Sequence, residues 1–584
     1  MNREYVVRGV YRSFLIVSVL SLVSSTLGGL IDNVIVGQFL GSDALAAMGI
    51  VSPIMLLFLA LGTLCASGGS ILAAQALGRG DLDGVRNIFS AAVWFGILAG
   101  VGICVLGLVF TGPLATLLGA AGTLKDLCVS YLRGYMLGAI PVILFSSLMS
   151  FVQIDGSSRL PIIATITMTA ADIVLDLLVV FVFHGGMFGM ALASTISYYL
   201  AAGVLCLHFN KKPRTLQLVR PQGFFHIFGS MAVTSTPVVL TCAGELGRTM
   251  ILNHMLMAVA VGAVAALNVR SQAQNLIGAL ALGGAQALGP MAGMFFGEDD
   301  RESLGQSLKS ALKLGLVINI FAAVIFGFMP DLFTRLMGIS DAETAAMTNT
   351  AVRWLAISLP IRFVNLLLSQ YYQTTRHTGQ AVMLSLLETL VYPIGAAVIL
   401  IAPLGAGAVW LAFPIAEALT LVTILCLVLA RGKHESLMDR FLMLPAGFGG
   451  KEDDKLSVSI GNSVEEVMEM ARGVYAFGEE RGVSKETMDK VSLCIEEMAG
   501  NIVQHSFKPG EKRWFDLLVY VKPEAILLRM RDNGRPFDPL ARLREQAEND
   551  PEKNLGLKVI NGVTDNFEYR NGIGLNICVM TLRR

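Results

Sequence analysis

The chain has 584 residues, of which 54% are hydrophobic and only 15% are charged, and its mean hydropathy is +0.64. Soluble domains carry about 25% charged residues, so this composition excludes an ordinary soluble protein. The formal net charge is zero, but charged residues are sparse from about residue 13 to 430 and dense from 451 onwards. This unevenness predicts a long membrane part followed by a water-exposed domain.

Twelve apolar segments follow one another along the membrane part. A bilayer core of about 30 Å needs about 20 apolar residues in a helix, and each segment is long enough. The first is too long for a cleaved signal peptide, so a retained helix is expected. The eighth leaves room for a re-entrant piece. The predicted spans are 14–38, 51–75, 90–112, 134–153, 161–183, 187–208, 227–252, 257–292, 308–328, 354–374, 382–402 and 405–429.

Basic residues are unevenly divided between the two sides of the predicted membrane part. With both termini in the cytoplasm, the inner segments hold Arg3, Arg8, Arg12, Arg79, Arg86, Arg159, Lys211, Lys212, Arg214, Arg220, Arg301, Arg376, Arg431 and Lys433. The outer segments then hold only Lys125, Arg133, Arg335 and Arg353. Lys and Arg concentrate in cytoplasmic loops, so a multi-pass plasma-membrane protein with cytoplasmic termini and C-terminal domain is predicted.

The membrane part repeats itself when the first half is shifted by about 219 residues. Gly78–Asp81 then falls on Gly297–Asp300, and Pro141 falls on Pro360. Each half holds six helices in the same orientation, an arrangement typical of transporters with a central cavity and alternating access. The predicted domains are 1–210 and 221–440 for the two six-helix halves, 441–454 for a linker, and 455–584 for the cytoplasmic domain.

Two sequence motifs resemble the MATE (multidrug and toxic compound extrusion) family of transporters. The segment Asp32–Ala47 looks like its first-helix signature, and Gly68–Ser70 followed by Gly78–Asp81 is similar to its next conserved turn. The resemblance covers roughly residues 10–435. It implies antiport, in which small organic, often cationic, compounds leave while H⁺ or Na⁺ enters. The same superfamily contains flippases of lipid-linked substrates, so a flippase is kept as an alternative.

Ionisable residues inside membrane helices are costly and mark ion or substrate pathways. Asp32 lies in the first predicted span, Glu245 in the seventh, and Asp172 and Asp176 share one face of the fifth. These four are the predicted ion-coupling residues, although Glu245 could instead pair with Arg248. In the resemblance, Asp32 matches the acidic residue linked to cation binding. Asp176 matches the Asp of an Asn-x-x-x-Asp pair whose Asn position is Asp172 here. The choice between H⁺ and Na⁺ stays open.

Beyond residue 454 the pattern changes to that of an α/β sandwich. Ser463 and Glu466 form a capping-box pattern that predicts a helix to about Arg481, and a second helix is predicted from Ser484 to about His505. No GxxxxGK[ST] sequence occurs, so a P-loop motor is excluded. The predicted strands lie at 457–460, 514–521, 525–531, 565–570 and 574–582, with a polar stretch at 536–554 and a short helix at 556–563.

The order of polar motifs in this domain resembles the GHKL ATPase superfamily, specifically the anti-sigma-factor serine kinases. The resemblance covers about 455–584 and implies ATP and Mg²⁺ as cofactors. It assigns Mg²⁺ to Asn501, general-base catalysis to Glu497 and adenine recognition to Asp532. Gly534 would let the backbone approach the base, and Gly556 would offer helix N-terminal amides to phosphate. The predicted nucleotide-binding residues are Asn501, His505, Asp532, Gly534, Asn554 and Gly556, with Asn554 standing where the family usually has glycine.

Two classes of function follow from these resemblances. The first is a secondary exporter whose cytoplasmic domain regulates it or signals as a serine kinase. The second is a membrane-bound sensor kinase in which the transporter-like part detects a ligand. For the flippase alternative, Arg248 and Arg270 are the candidate cavity cations. The expected partners are a small organic cation, membrane lipid and an anti-sigma-factor-antagonist-like protein; no nucleic acid is expected.

Overall fold

The structure is a computed structural model that describes residues 5–210, 215–257, 261–337, 341–430, 436–445, 447–508, 511–546 and 555–584. The first half of the helical bundle, called the N-half, consists of α1 (Tyr5–Ile35), α2 (Ser42–Thr63), α3 (Ser70–Arg79), α4 (Leu82–Val109), α5 (Thr111–Leu117), α6 (Thr123–Met136), α7 (Ala139–Ile154), α8 (Arg159–Leu178) and α9 (Gly186–Cys206).

The second half, called the C-half, consists of α10 (Phe224–Met257), α11 (Val261–Gly297), α12 (Arg301–Phe328), α13 (Asp331–Leu336), α14 (Ala342–Thr374), α15 (Thr378–Leu386), α16 (Tyr392–Leu404) and α17 (Gly407–Leu429). Helix α18 (Leu437–Leu442) begins the connection to the C-terminal unit. In the bilayer a helix satisfies all its backbone hydrogen bonds internally, which explains why apolar runs of this length become helices.

The number of spans agrees with the sequence prediction. Among the described residues, eleven helices are long and apolar enough to cross a membrane, and the number is twelve when α6 and α7, which meet at a 47° bend, form one span. Short π-helical turns interrupt several of them, as between α2 and α3 and between α15 and α16. The re-entrant piece considered for the eighth span is wrong, because α11 runs unbroken from Val261 to Gly297.

The internal repeat is visible in how two helices begin. Asp81 caps α4 by accepting a hydrogen bond from the Gly84 backbone N–H at 2.7 Å. At the equivalent place in the C-half, Asp300 caps α12 by accepting one from the Ser303 N–H at 3.0 Å. A capping carboxylate satisfies one of the free amides of the first helical turn. The two turns that precede these helices are therefore equivalent in structure as well as in sequence.

The halves close on each other at one end of the bundle. This end is formed by the N-terminus of α1, the α3–α4 turn and the α11–α12 turn, and is called the docking end. The Tyr11 hydroxyl donates to the Gly284 carbonyl at 3.0 Å, and the Gln75 amide donates to the Thr374 carbonyl at 2.7 Å. Helix α11 packs along both α1 and α3. Buried side-chain hydrogen bonds of this kind fix the closed arrangement.

Two equivalent glycines allow the backbones to touch at the seam between the halves. A Cβ on Gly78 would lie 2.1 Å from the carbonyl oxygen of Met294, and one on Gly297 would lie 2.2 Å from that of Gln75. Both distances are far below a van der Waals contact, so no larger residue fits without moving a backbone. The glycines of the repeated turn therefore define the closed docking end.

The C-terminal unit is a five-stranded antiparallel sheet with helices on one face. Its elements are β1 (Lys455–Gly461), α19 (Val464–Glu480), α20 (Lys485–Asn501), β2 (Trp514–Val521), β3 (Ala525–Asp532), α21 (Pro539–Gln546), α22 (Leu555–Val563), β4 (Asn566–Gly572) and β5 (Leu575–Arg583), in sheet order β1-β2-β3-β5-β4. The predicted strands and helices are present with small shifts at their ends, and α21 in the polar stretch was missed.

The two faces of the sheet have different neighbours. On β3, Ile526, Leu528 and Met530 point into the core beneath α19 and α20. The alternate residues Arg529 and Arg531 point the other way and are also buried, with exposed fractions of 7% and 4%. They are buried because this face packs on the docking end of the helical bundle. Successive strand residues face opposite sides, so one strand serves both the core and the docking surface.

Candidate functional site

Three carboxylates meet inside the N-half. Asp32 comes from α1, and Asp172 and Asp176 come from α8, one helical turn apart. One oxygen of each lies within 4.8 Å of the others. Helices α1 and α8 pack along each other, which brings residues 140 positions apart in sequence into one cluster. The sequence-predicted residues Asp32, Asp172 and Asp176 are thus brought together.

The environment of the cluster suits a bound cation or proton. Asp176 is fully buried, and neither of its oxygens has a hydrogen-bond donor among the described residues. Asp172 accepts a hydrogen bond from the Ser197 hydroxyl at 3.2 Å. Three carboxylates this close repel one another when all are ionised, so a proton or a metal cation among them lowers the energy. Oxygen ligands are what hard cations such as Na⁺ prefer.

Glu245 lies apart from this cluster, in the C-half. Its carboxylate is 3.3 Å from the Arg362 guanidinium and 3.9 Å from that of Arg248. The pairing with Arg248, which is three residues away on the same helix, was an alternative expected from the sequence. Arg362, which comes from α14 and lies 117 residues away, was not expected. The sequence does hold a signal for this pair, because Arg362 lies within the predicted span 354–374 and a charge in the bilayer needs a partner.

Further buried polar groups surround this pair. The Arg270 guanidinium lies 3.3 Å from the centre of the Phe413 ring and donates to Gln274 at 3.0 Å. Glu417 accepts a hydrogen bond from the Asn365 amide at 2.8 Å. Buried charges in low dielectric surroundings require partners of this kind. The C-half therefore holds a polar cluster in which arginines already occupy the positions next to Glu245.

In the C-terminal unit, α20 and α22 bring the predicted general base Glu497 next to the predicted phosphate-binding residue Gly556. A Cβ on Gly556 would lie 1.9 Å from a carboxylate oxygen of Glu497, so Glu497 rests directly on the backbone that opens α22. The Asn501 side-chain amide donates to the Glu497 carbonyl at 2.8 Å. Because the side-chain nitrogen of Asn501 makes this hydrogen bond within the helix, its side-chain oxygen is the atom that could bind a metal. These residue types and places fit Mg²⁺ and phosphate.

Asp532 ends β3 as a buried, oriented carboxylate. It is 2% exposed, and its Oδ1 accepts from the Gly534 N–H at 2.8 Å and from the Asn576 amide at 2.9 Å. Burial raises its pKa to about 6, while the hydrogen bonds from Asn576 and Gly534 oppose the rise. A carboxylate fixed in this way can accept a hydrogen bond from an exocyclic amino group. Gly534 itself packs on Ser506, whose carbonyl would be 2.4 Å from an added Cβ.

A family model named MatE matches residues 18–178 and 237–399, more than half of the chain. The chain belongs to the MatE family. A second model, the histidine kinase-like ATPase domain, matches residues 460–582 of this MatE protein. A domain of that kind implies ATP binding, usually with Mg²⁺. Residues 455–584 are called the ATPase domain from here on.

Curated relatives of this MatE protein carry transport names. It is 24% identical over 346 residues to the probable multidrug resistance protein YoeA of Bacillus subtilis, covering 57% of this chain and 73% of that protein. It is 24% identical over 377 residues to the multidrug export protein MepA of Staphylococcus saprophyticus, covering 63% of this chain and 81% of that protein.

Solved structures support the fold of the MatE part. One, titled as the outward-facing conformation of a multidrug resistance MATE family transporter, superposes with a TM-score of 0.67 at 20% identity over 72% of this chain and 94% of that one. A second, titled as a transporter from Pyrococcus furiosus with reverse polarity of its binding pocket, gives the same TM-score, identity and coverage. The polytopic all-α fold predicted from the sequence is confirmed.

Another predicted nucleotide-binding residue of this MatE protein, His505, lies beyond the regular part of α20. His505 lies in a π-helical turn, Ile502–Ser506, that follows α20, and its ring stacks on Phe537 at 5.1 Å. Burial, and then the charge of Arg542, lower the pKa of His505. The change of helical pitch explains why regular spacing after Asn501 did not predict the position of His505. Asn554 lies outside the described residues.

Nucleotide binding by this MatE protein is expected to weaken below about pH 6. Below the Asp532 pKa of about 6, the carboxyl is protonated and no longer a free acceptor for the adenine amino group. ATP affinity relative to the Asp532→Asn variant, which cannot titrate here, should be constant above pH 7 and fall about tenfold per pH unit below 6. Titration of ATP itself affects both proteins equally. An affinity ratio that does not change with pH would contradict this role.

Proposed function

We propose that this protein is a secondary active transporter that exports small organic, cationic compounds in exchange for H⁺ or Na⁺. The carboxylate cluster of Asp32, Asp172 and Asp176 is the observation that carries the proposal. Its negative charge and buried position suit alternate binding of a coupling ion and a cationic substrate. The export and resistance names of the relatives support the same assignment. Glu245 contributes through its arginine partners rather than as a free ligand.

The alternatives from the sequence are less well supported. A flippase for anionic headgroups needs cations free to contact them, whereas Arg248 is near Glu245 and Arg270 is engaged with Phe413 and Gln274. A pure sensor has no need for three clustered carboxylates for which the described residues supply no salt-bridge partner. The predicted domain division, the plasma-membrane location and the cytoplasmic position of both termini belong to this proposal.

We assign ATP and Mg²⁺ binding to the ATPase domain, with Asn501 toward the metal, Asp532 toward adenine and Gly556 toward phosphate. Bound ATP with Mg²⁺ would supply a transferable phosphoryl group, and Glu497 would accept the proton of the attacking water or serine hydroxyl. The domain then either regulates transport or phosphorylates a serine of an antagonist-like partner. The presence of a carboxylate at Glu497, able to act as general base, supports a catalytic domain over one that only binds nucleotide.

The proposal is tested by dye export in proteoliposomes under an imposed H⁺ or Na⁺ gradient, with and without ATP on the side of the ATPase domain. Export should follow one gradient and be lost in Asp32→Asn. Asp83→Asn, which changes an exposed aspartate at the start of α4, should export normally. Any ATP effect should disappear in Glu497→Ala while basal export persists. If no tested cation moves with either gradient, the exporter assignment fails.

A further inference from the structure

The ATPase domain lies across the seam between the two halves of the transporter. On the N-half side, the Arg570 guanidinium donates to the Gly78 carbonyl at 3.0 Å. The turn between β4 and β5 reaches further, and the Ile573 N–H donates to the carbonyl of Ile154 at the end of α7, at 2.6 Å. Ile573 is buried and has a φ of 50°, which is rare for a β-branched residue. This turn is held in a costly conformation where it contacts the N-half.

On the C-half side, two arginines of β3 form salt bridges with the α11–α12 turn. Arg529 donates to Glu298 at 2.8 Å, and both Arg529 and Arg531 contact Asp300. All four side chains are at most 10% exposed. Burial alone would raise the pKa of Asp300, but the two guanidinium groups hold it well below its usual range. Buried paired charges of this kind are costly to separate one partner at a time.

The α3–α4 turn and the α11–α12 turn, which the ATPase domain contacts, occupy equivalent places in the internal repeat. Gly78–Asp81 in the N-half corresponds to Gly297–Asp300 in the C-half, and their glycines touch the opposite half at the seam. Arg570 stands on β4 and the arginine pair on β3, and β5 lies between these two strands in the same sheet. A β-sheet is too rigid to stretch. The halves therefore cannot separate at this end while Arg570 contacts the N-half turn and the β3 arginines contact the C-half turn.

We propose that the ATPase domain is a clamp that holds the docking end closed, and that its release is required before the halves can open there. This inference rests on the proposed transport function, because alternating access requires the closed end to open. The occupant of the docking surface is this chain's own domain, and the recognised features are two backbone carbonyls, those of Gly78 and Ile154, and one pair of carboxylates. Transport would then be gated by a soluble domain rather than by ion binding alone.

The nucleotide site is built into the same elements as the clamp. Asp532 directly follows Arg531 on β3, and Asn576 connects it to the β4–β5 turn. The Asn576 amide donates to Asp532 at 2.9 Å, and its oxygen accepts from Asn571 at 2.8 Å. Next to Asp532, the Asn533 amide lies 3.0 Å from a Cβ built on Gly9 of α1, the helix that carries Asp32. Nucleotide binding at Asp532 therefore acts on residues that contact both halves.

The clamp is tested by maleimide labelling of a cysteine placed at the seam. Thr374 is fully buried at the docking end, and its replacement by cysteine changes little in size. Exposed Cys206 and Cys426 are first replaced by serine. In detergent-purified full-length protein, Arg529→Ala with Arg531→Ala is expected to speed labelling of Thr374→Cys about tenfold or more. Arg583→Ala, an exposed arginine of the same domain, should leave the rate unchanged.

A second double variant removes the same salt bridges by changing the carboxylates of the α11–α12 turn. Glu298→Gln with Asp300→Asn should speed labelling equally, and Asn at position 300 still caps α12. ATP with Mg²⁺ should change the labelling rate of the intact clamp and have no effect once the arginines are removed. Unchanged labelling in both double variants overturns the clamp, and an identical ATP effect with and without the arginines overturns its link to nucleotide. Labelling needs neither substrate nor gradient, so the result stands even if export is not found.

Discussion

Replacing Gly78 or Gly297 by alanine is expected to force the two halves apart at the docking end and to impair transport severely. An added Cβ would lie 2.1 or 2.2 Å from a backbone carbonyl of the opposite half, and a backbone cannot rotate away as a side chain can. Overpacking of this kind costs about 1–3 kcal/mol. That cost lowers the equilibrium constant for closure about 5- to 150-fold. We expect faster labelling of Thr374→Cys and a matching loss of export.

The matched control is Gly102→Ala on α4, where nothing lies within 4 Å of an added Cβ. This variant should label and export like the parent, since alanine also favours the helix over glycine. Because Gly78 and Gly297 are related by the repeat, their effects should be similar in size. A strong effect of one glycine and none of the other would show that closure is not symmetric about the seam.

The second large effect is expected from an asparagine scan of the carboxylate pair on α8. Asp176→Asn removes a charge that has no hydrogen-bond donor among the described residues, so a coupling ion loses its main attraction. Gradient-driven export should fall about 100-fold, in the upper part of the range for a coupling free energy of 1–3 kcal/mol. Asp172→Asn keeps an oxygen that accepts from Ser197, and export should persist within a fewfold of the parent.

The two variants carry the same chemical change four residues apart, so each controls for the other. Substrate-induced proton release from purified protein distinguishes the ions: release that survives in Asp172→Asn and is lost in Asp176→Asn supports H⁺ coupling at Asp176. Acceleration by Na⁺ without proton release supports a Na⁺ site instead. Equal loss in both variants would mean that the carboxylates act only as a pair, contrary to the separate roles assigned here.

Sequence patterns were sufficient where one physical property repeats along the chain. The spans follow from apolar length, and the strands of the ATPase domain follow from alternation. Asp32, Asp172 and Asp176 were chosen from the sequence because carboxylates are rare inside apolar helices, and Asp172 and Asp176 were placed on one face. That Asp32 lies beside them follows only from the packing of α1 on α8. The helix start at Ser463 was also correct: Ser463 accepts from the Glu466 N–H, while the Glu466 side chain accepts from the N–H of Gly461 instead of that of Ser463.

Contacts between distant segments could not be predicted in this way. Arg529 and Arg531 alternate with core residues as on any strand with one wet face, and nothing in that pattern says that another domain covers them. Of the two arginines beside Glu245, Arg362 was missed because another helix supplies it. Helix α21 was missed because its sequence is polar, and packing on the rest of the domain favours it over the loop that propensity suggests.

A domain attached to a pseudo-symmetric bundle could bind in two orientations. A half-turn about the pseudo-symmetry axis exchanges the α3–α4 turn and the α11–α12 turn that it contacts. The turns differ at two positions: Arg79 and Gly80 in the N-half stand where Glu298 and Asp299 stand in the C-half. In the observed pose the arginine pair of β3 meets Glu298 and Asp300. In the reversed pose the pair would face Arg79, and like charges brought together in a buried place are strongly disfavoured. The charge differences within the duplicated motif thus make the two halves unequal at this end and favour one orientation of the attached domain.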